Sequence, residues 1–284
     1  TKILIVGLGL IGGSYAKALS DEGYFVGAID KKKSSVEYAL KNGLIQVGET
    51  SVKKDFVKDF DLIVFALYPH DFINWIKEYQ SSIKSGALIT DVTGVKSFVV
   101  ENVQKILRGD LEFVGAHPMA GKEVSGVENA DPKIFVGANY IVTPTKRNTD
   151  ENVQAVKDLG RALGFERISS LSPEEHDETV GFLSHLTHCI AVSLMVSKKS
   201  HHLAEYTGDS FRDLTRIAKI NDEMWSELFL ANKDELLKQM DLFEEKFNQL
   251  KEDIKNDNRE KIRETLREST ARRKVFDKDA KETK

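Results

Sequence analysis

The apolar run at residues 3–6 leads straight into Gly7-Leu8-Gly9-Leu10-Ile11-Gly12, and no other feature restricts the fold of this chain as tightly. Three glycines at that spacing, between a strand and a helix, have separate uses. The first makes the tight turn, the second lets backbone amides approach a pyrophosphate, and the third lets helix and strand pack closely. The helix then turns the partial positive charge of its N-terminus toward the phosphates. By itself the spacing is weak, because a purely structural glycine turn would also produce it. Asp30 adds weight, closing the next apolar run, Phe25–Ile29, at the expected remove of about 20 residues. An acid there accepts hydrogen bonds from ribose hydroxyls and repels a 2′-phosphate, which favours NAD over NADP. Lys31, Lys32 and Lys33 follow at once. They read as a solvated turn, the alternative being that they soften the preference for NAD.

Up to about residue 145, short apolar runs alternate with helical stretches. The runs lie at 3–6, 25–29, 62–67, 87–90, 113–116 and 140–142. They are near-continuously apolar, as strands covered on both faces should be, and the alternation predicts a parallel sheet with helices on each side. Residues 150–163 read as one more helix, closed by Gly164. Ser172-Pro173-Glu174-Glu175 is a helix start, with a serine cap, proline at the first position and glutamate at the third. Beyond it everything reads as helix. The expected architecture is an α/β, doubly wound parallel sheet of Rossmann type over residues 1–170, followed by an all-α domain over 171–284. In the latter, Leu236, Met240, Phe243, Phe247, Leu250 and Ile254 alternate steps of four and three. Such a heptad seam suits either a helix–helix core within one subunit or a dimer interface. The tail from 272 to 284 is mostly charged and is expected to fray.

Composition excludes several classes. A net charge of −4 argues against a nucleic-acid surface, which needs a basic patch. The single cysteine, Cys189, rules out an intrachain disulfide and a cysteine-based zinc site, and its apolar surroundings suit a buried structural thiol. No apolar run is expected to approach the ~18 residues of a membrane span. The first strand begins at Lys2, leaving no room for a targeting peptide, so the expected location is the cytoplasm.

In open parallel sheets ligands bind at the carboxyl ends of the strands. The loops Leu67-Tyr68-Pro69 and Asp91-Val92-Thr93-Gly94 follow two such ends, so Leu67, Pro69, Asp91 and Thr93 are expected to border the nicotinamide. The run at 113–116 ends in His117-Pro118-Met119-Ala120-Gly121. A histidine at a strand's carboxyl end suits a general base, with an ordinary pKa of ~6.5, although a satisfied core histidine reads the same way. His185 and His188, three apart, share one face of a helix; no third ligand stands nearby, so no metal is expected. Arg212 and Arg216 also share a face, with Asp213 three residues before the second. Arginine matches carboxylates in two-point contacts, while a solvated face of ion pairs is the plainer reading.

His117-Pro118-Met119-Ala120-Gly121, with 122–126 after it, closely resembles the signature of prephenate and arogenate dehydrogenases. The resemblance continues through Phe182-Leu183-Ser184-His185-Leu186-Thr187-His188 and the block from Ser210 to Ala218, and ends in Met224-Trp225 and Asn232-Lys233. These blocks cover nearly the whole chain in family order. The resemblance implies a Rossmann domain followed by a helical domain that forms a homodimer. It makes His117 the catalytic histidine that takes the proton of the substrate's ring hydroxyl, and Arg216 the grip on a substrate carboxylate. His188, Arg212, Asp213 and Trp225 fall around the same pocket, and Lys96 in the loop after the strand at 87–90. Many relatives carry serine at the position of Gly94, where its hydroxyl orients the histidine; here Thr93 is the neighbouring hydroxyl expected to take that part. The implied reaction is NAD-dependent oxidative decarboxylation of prephenate to 4-hydroxyphenylpyruvate, a step toward tyrosine. The rival readings are an arogenate dehydrogenase, a 3-hydroxy-acid dehydrogenase of similar architecture, and an NAD-binding redox sensor. The sensor would have no use for His117, His188 and Arg216 together.

Overall fold

The computed structural model describes residues 1–199 and 202–277. Six strands form one parallel sheet: β1 (Lys2–Val6), β2 (Phe25–Ile29), β3 (Val47–Glu49), β4 (Leu62–Phe65), β5 (Leu88–Asp91) and β6 (Glu112–Phe113), in the order β3-β2-β1-β4-β5-β6. Five helices link them: α1 (Leu10–Asp21), α2 (Lys33–Lys41), α3 (Lys54–Val57), α4 (Pro69–Tyr79) and α5 (Ser97–Ile106). Successive strand residues point to opposite faces. Ile3 and Ile5 therefore pack with Tyr15 and Leu19 of α1, while Leu4 and Val6 pack with Phe72 and Ile76 of α4 and Val99 and Val103 of α5. The chain builds outward from β1 to β3, then crosses back to place β4 on the other side of β1. That reversal opens a crevice at the carboxyl ends of β1 and β4, the usual ligand position in such sheets.

The expected strand at 113–116 is divided. Its first half ends the parallel sheet as β6, and the chain then passes into β7 (Gly115–Pro118) of a second sheet. There β7 pairs antiparallel with β8 (Asn139–Thr143), and β8 pairs parallel with β9 (Arg167–Ser170). His117 thus lies within β7, opposite Ile141, and not at the carboxyl end of a strand of the main sheet; the run at 140–142 belongs to the second sheet as well. The strands β3 and β9 have no run of apolar residues to announce them: β3 is half-buried throughout and β9 is mostly exposed.

Helix α6 (Asp150–Ala162) starts under a Thr149 side chain that accepts the N–H of Asn152, and Gly164 follows with φ 91°. Helix α7 (Pro173–Val180) has the expected reciprocal cap between Ser172 and Glu175. A π-helical stretch, Gly181–Leu186, joins it to α8 (Thr187–Val196). Then come α9 (Asp209–Thr215), α10 (Asp222–Ala231), α11 (Lys233–Lys255) and α12 (Arg259–Arg273). The continuous helical path Pro173–Val196 corrects one expectation: an 18-residue window in it has a mean hydropathy of 1.5, enough by length and composition to cross a membrane. Within it Val180, His185, Leu186 and Ala191 are buried against protein, whereas Phe182, Leu183, Met195 and Val196 are exposed, and 28% of that window is buried. The chain forms two compact units, Thr1–Glu235 and Leu236–Lys284. Of the tail expected to fray, residues 278–284 lie outside the described residues.

Candidate active site

Each glycine of the turn after β1 meets a different constraint. Gly7 has φ 99°, and a Cβ there would stand 2.4 Å from the Ala66 carbonyl oxygen. A Cβ on Gly12 would stand 2.0 Å from the Gly7 carbonyl oxygen. A Cβ on Gly9 would meet no protein atom within 4 Å. The first and third positions thus need glycine for packing, whereas the second leaves the space above the turn clear for a ligand. No side chain caps the start of α1, so its first N–H groups remain available to an anion. Asp30 braces the turn: its Oδ2 accepts the Leu8 N–H at 2.6 Å and its Oδ1 the Lys32 N–H at 2.7 Å. A carboxylate offers about four lone-pair sites, so acceptor capacity remains for ribose hydroxyls. Leu8, Leu10 and Ile11 supply the backbone and apolar packing of this turn, with Leu8 and Leu10 buried. Lys31, Lys32 and Lys33 are exposed, as a solvated turn should be.

Beneath the second loop lies a buried ion pair. Lys96 Nζ donates to Asp91 Oδ2 at 2.6 Å, with both side chains inaccessible to solvent. Asp91 also accepts the Thr93 hydroxyl and backbone N–H and, through Oδ1, the Ala116 N–H at 3.1 Å. Burial lowers the Lys96 pKa, and the charge of Asp91 opposes the shift. Asp91 and Thr93 are therefore turned inward and hold β7 beside β5, instead of presenting side chains to a nicotinamide. Thr93 does not reach His117 either.

What does reach His117 is His176, at the start of α7. His117 Nδ1 and His176 Nε2 are 2.8 Å apart, and His176 Nδ1 is 2.8 Å from Asp177 Oδ1. Asp177 in turn accepts the backbone N–H groups of Lys96 at 2.7 Å and Ser97 at 2.8 Å. Burial drives the His117 pKa well below its ordinary value, and the neighbouring His176, Lys96 and His185 add to the shift. Burial likewise lowers that of His176, against the pull of Asp177. For Asp177 burial acts upward, but the bonds from His176, Lys96 and Ser97 hold it below the usual carboxylate value. The opposite edge of His117 faces Gly94, where a Cβ would lie 3.8 Å from Nε2.

A second group of side chains comes from the helices. His188 stacks on Trp225 with ring centroids 3.7 Å apart, and its Nδ1–H donates to the Ser184 carbonyl at 2.8 Å. His185 meets the same indole edge-on at 6.0 Å, so the two histidines do share a face. Arg216 pairs with Glu123 of the loop after β7, and the charges of both act on His188. Helix α10, which carries Trp225, is tied over the β4–α4 loop: Glu227 accepts the His70 N–H at 2.6 Å, and Asn221 donates to the Tyr68 hydroxyl at 3.1 Å. Leu67 and Pro69 sit in that loop, Pro69 as the first residue of α4.

Residues 15–167 match the family model for the prephenate dehydrogenase nucleotide-binding domain, and residues 172–268 match that for the prephenate dehydrogenase dimerization domain. The chain belongs to the prephenate dehydrogenase family. It is 34% identical to the prephenate dehydrogenase of Bacillus subtilis (strain 168), over 84% of this chain and 66% of that protein. It thus spans about two-thirds of the length of that relative. It is 29% identical to the cyclohexadienyl dehydrogenase of Zymomonas mobilis, over 98% of this chain and 96% of that one. The crystal structure of prephenate dehydrogenase from A. aeolicus, in complex with hydroxyphenyl propionate and NAD+, superposes with a TM-score of 0.89 at 34% identity, covering 98% of each chain.

Of the residues singled out in the sequence, His188, Trp225 and Arg216 form one group, His185 touches that group and its charge acts on His117, and Gly7, Gly9, Gly12 and Asp30 share the turn after β1. Arg212 is exposed and pairs with Asp209, three residues before it, which is the solvated ion-pair face weighed above; no described contact joins Arg212 or Asp213 to the histidines. Two contributors escaped the sequence reading, His176 and Asp177, while Glu123 and Asn232 lay in the resemblance blocks without a role assigned. A signal for the first two existed. In α7 the buried positions are Pro173, His176, Asp177 and Val180, the three-four spacing of an inward face, so its two titratable residues had to find buried partners.

Proposed function

We propose that this chain is an NAD-dependent oxidoreductase that oxidises and decarboxylates prephenate to 4-hydroxyphenylpyruvate, in tyrosine biosynthesis. The carrying observation is His117, neutral through burial, with its Nε2 edge beside the small Gly94 and the nucleotide turn in the same sheet domain. The N–H groups that open α1 and the clear space over Gly9 would hold the pyrophosphate, and Asp30 the adenosine ribose; NAD, when bound, supplies the hydride acceptor. His117 takes the proton of the ring hydroxyl as its carbon is oxidised. Loss of the ring carboxylate as carbon dioxide makes the ring aromatic, and His117 returns the proton to the phenolate oxygen. Arg216 holds a substrate carboxylate by exchanging Glu123 for it, with His188 and Trp225 as the adjoining wall.

The division of labour follows the chain, with residues 1–170 holding the cofactor and 171–284 forming substrate and dimer surfaces. A homodimer is supported by the seam on α11, where Phe243, Phe247 and Ile254 are exposed, as well as by the family model for a dimerization domain. The proposed location is the cytoplasm, and no partner beyond substrate, cofactor and a second copy is invoked. Glu123 favours arogenate as a second substrate, because a carboxylate beside Arg216 can accept an ammonium where prephenate has a keto group; the Zymomonas relative carries a name spanning both activities.

The test is the absorbance of reduced cofactor with prephenate or arogenate, each with NAD and with NADP. NADH formation with prephenate supports the proposal, and signal only with arogenate moves it to the second reading. A positioned base is worth about 10²–10⁴-fold, so His117→Asn should lower kcat by that factor and leave NAD binding intact. Unchanged turnover would remove His117 from the mechanism.

A further inference from the structure

We infer that His176, backed by Asp177, is a positioning residue that fixes the proton of His117 on Nδ1 and keeps Nε2 bare toward the substrate. The inference rests on the base role proposed for His117 and assigns which of its nitrogens acts. The argument starts from Asp177, whose carboxylate can only accept. It takes the backbone N–H groups of Lys96 and Ser97, which fixes it at the start of α5. His176 Nδ1, 2.8 Å from the same carboxylate, must therefore carry a hydrogen. A neutral imidazole has one such hydrogen, so His176 Nε2 is an acceptor. The atom against it, at 2.8 Å, is His117 Nδ1, which must then be the donor. Nε2 of His117 is left as a lone pair on the Gly94 side. Free histidine prefers the opposite tautomer, with its proton on Nε2, so the ring needs this partner.

Nothing else described does the same work. The Thr93 hydroxyl is bound to Asp91, Gly94 has no side chain, and the Leu228 methyls across from it are apolar. Among the described residues, His176 is the one polar side chain hydrogen-bonded to His117. The charged or titratable groups that face the pair are Asp177 from α7, Asp91 and Lys96 from the β5–α5 region, and His185 from the π-helical stretch. Of these, Lys96, His185 and His176 itself favour neutral His117.

Two measurements on the full chain test this. In long-range proton–nitrogen spectra of protein labelled with 15N-histidine above pH 7, His117 should show a protonated Nδ1 and a bare Nε2. A proton on Nε2 would overturn the inference whatever the enzyme's substrate proves to be. In the second, His176→Leu should lower kcat by a hundredfold or more, on the order of the loss seen when a catalytic histidine is left in the wrong tautomer. KM and NAD affinity should stay within about threefold, since positioning a base affects the transition state more than ground-state binding. His176→Gln keeps an acceptor for the Nδ1 hydrogen and should recover kcat to within about tenfold of the parent. The acid limb of kcat/KM should move to higher pH in His176→Leu, because one neighbour that disfavours the cation is gone. A leucine variant with near-parental kcat and an unmoved acid limb would reduce His176 to packing. No turnover of prephenate or arogenate by the parent, with the predicted tautomer in the spectra, would instead retire the proposed reaction and leave the relay standing.

Discussion

His185 gives this fold a specific dependence on pH. Its ring is buried on the π-helical stretch, and its Nδ1 accepts an N–H of Asn232 at 3.2 Å; the same amide donates to the Asp177 carbonyl at 2.9 Å. Protonating His185 would set a new N–H against a donor, in a site with almost no access to water. Burial accordingly takes its pKa from 6.5 to about 4. A histidine whose folded pKa is lowered stabilises the fold fully above its unfolded value, and this contribution is lost as pH falls from there toward the folded value. The unfolded chain takes up its proton first. A shift from 6.5 to about 4 corresponds to about 3 kcal/mol over the whole window, of which about 2 kcal/mol is gone by pH 5. Urea unfolding of the parent and His185→Gln, at one protein concentration and at pH 8 and pH 5, isolates this quantity. His117, His176 and His188 also have lowered values; they are present in both proteins, and His185 enters only as the smallest cause of the His117 shift, so their contributions largely cancel in the comparison. The parent should lose about 2 kcal/mol more than the variant on acidification. Parallel losses, within about 0.5 kcal/mol, would refute a neutral, donor-locked His185.

The second and third glycines of the turn after β1 should separate ligand binding from stability. Gly9→Ala meets no protein atom, so its melting temperature should stay within about 2 °C of the parent while NAD affinity, by calorimetry, falls at least about tenfold. Gly12→Ala strikes the Gly7 carbonyl and should lose both affinity and stability in the same two assays. Lys96→Met leaves Asp91 buried and uncompensated, which should cost about 3–5 kcal/mol in urea unfolding. Phe247→Glu on the exposed seam of α11 should shift light scattering from dimer to monomer with the α-helical content retained by circular dichroism.

Local signals were legible in the residues alone. The glycine turn, Asp30, the Ser172–Glu175 cap and the stop at Gly164 each depend on neighbours within a turn or on one recurring strand–helix unit. Apolar periodicity likewise exposed the strands that both sheet faces cover, β1, β2, β4 and β5. It failed for β3 and β9, which are short and respectively half-buried and mostly exposed, and it fused β6 with β7, because the passage from one sheet to the next occurs within a continuous apolar run. The site divided along the same line. The resemblance and the spacing singled out His117, His188, Arg216 and Trp225. They could not say that Asp91 and Thr93 are consumed by a buried lysine, that Arg212 is spent on Asp209, or that His176 and Asp177 stand behind His117. Those assignments turn on contacts between residues tens of positions apart: His117 with His176 at a separation of 59, and Lys96 with Asp177 at 81. Sequence determines which groups a helix face or a strand end presents. Which of them lose water together, and so acquire shifted proton affinities and fixed tautomers, is decided only when distant elements pack, because burial belongs to the assembled fold and not to any one segment.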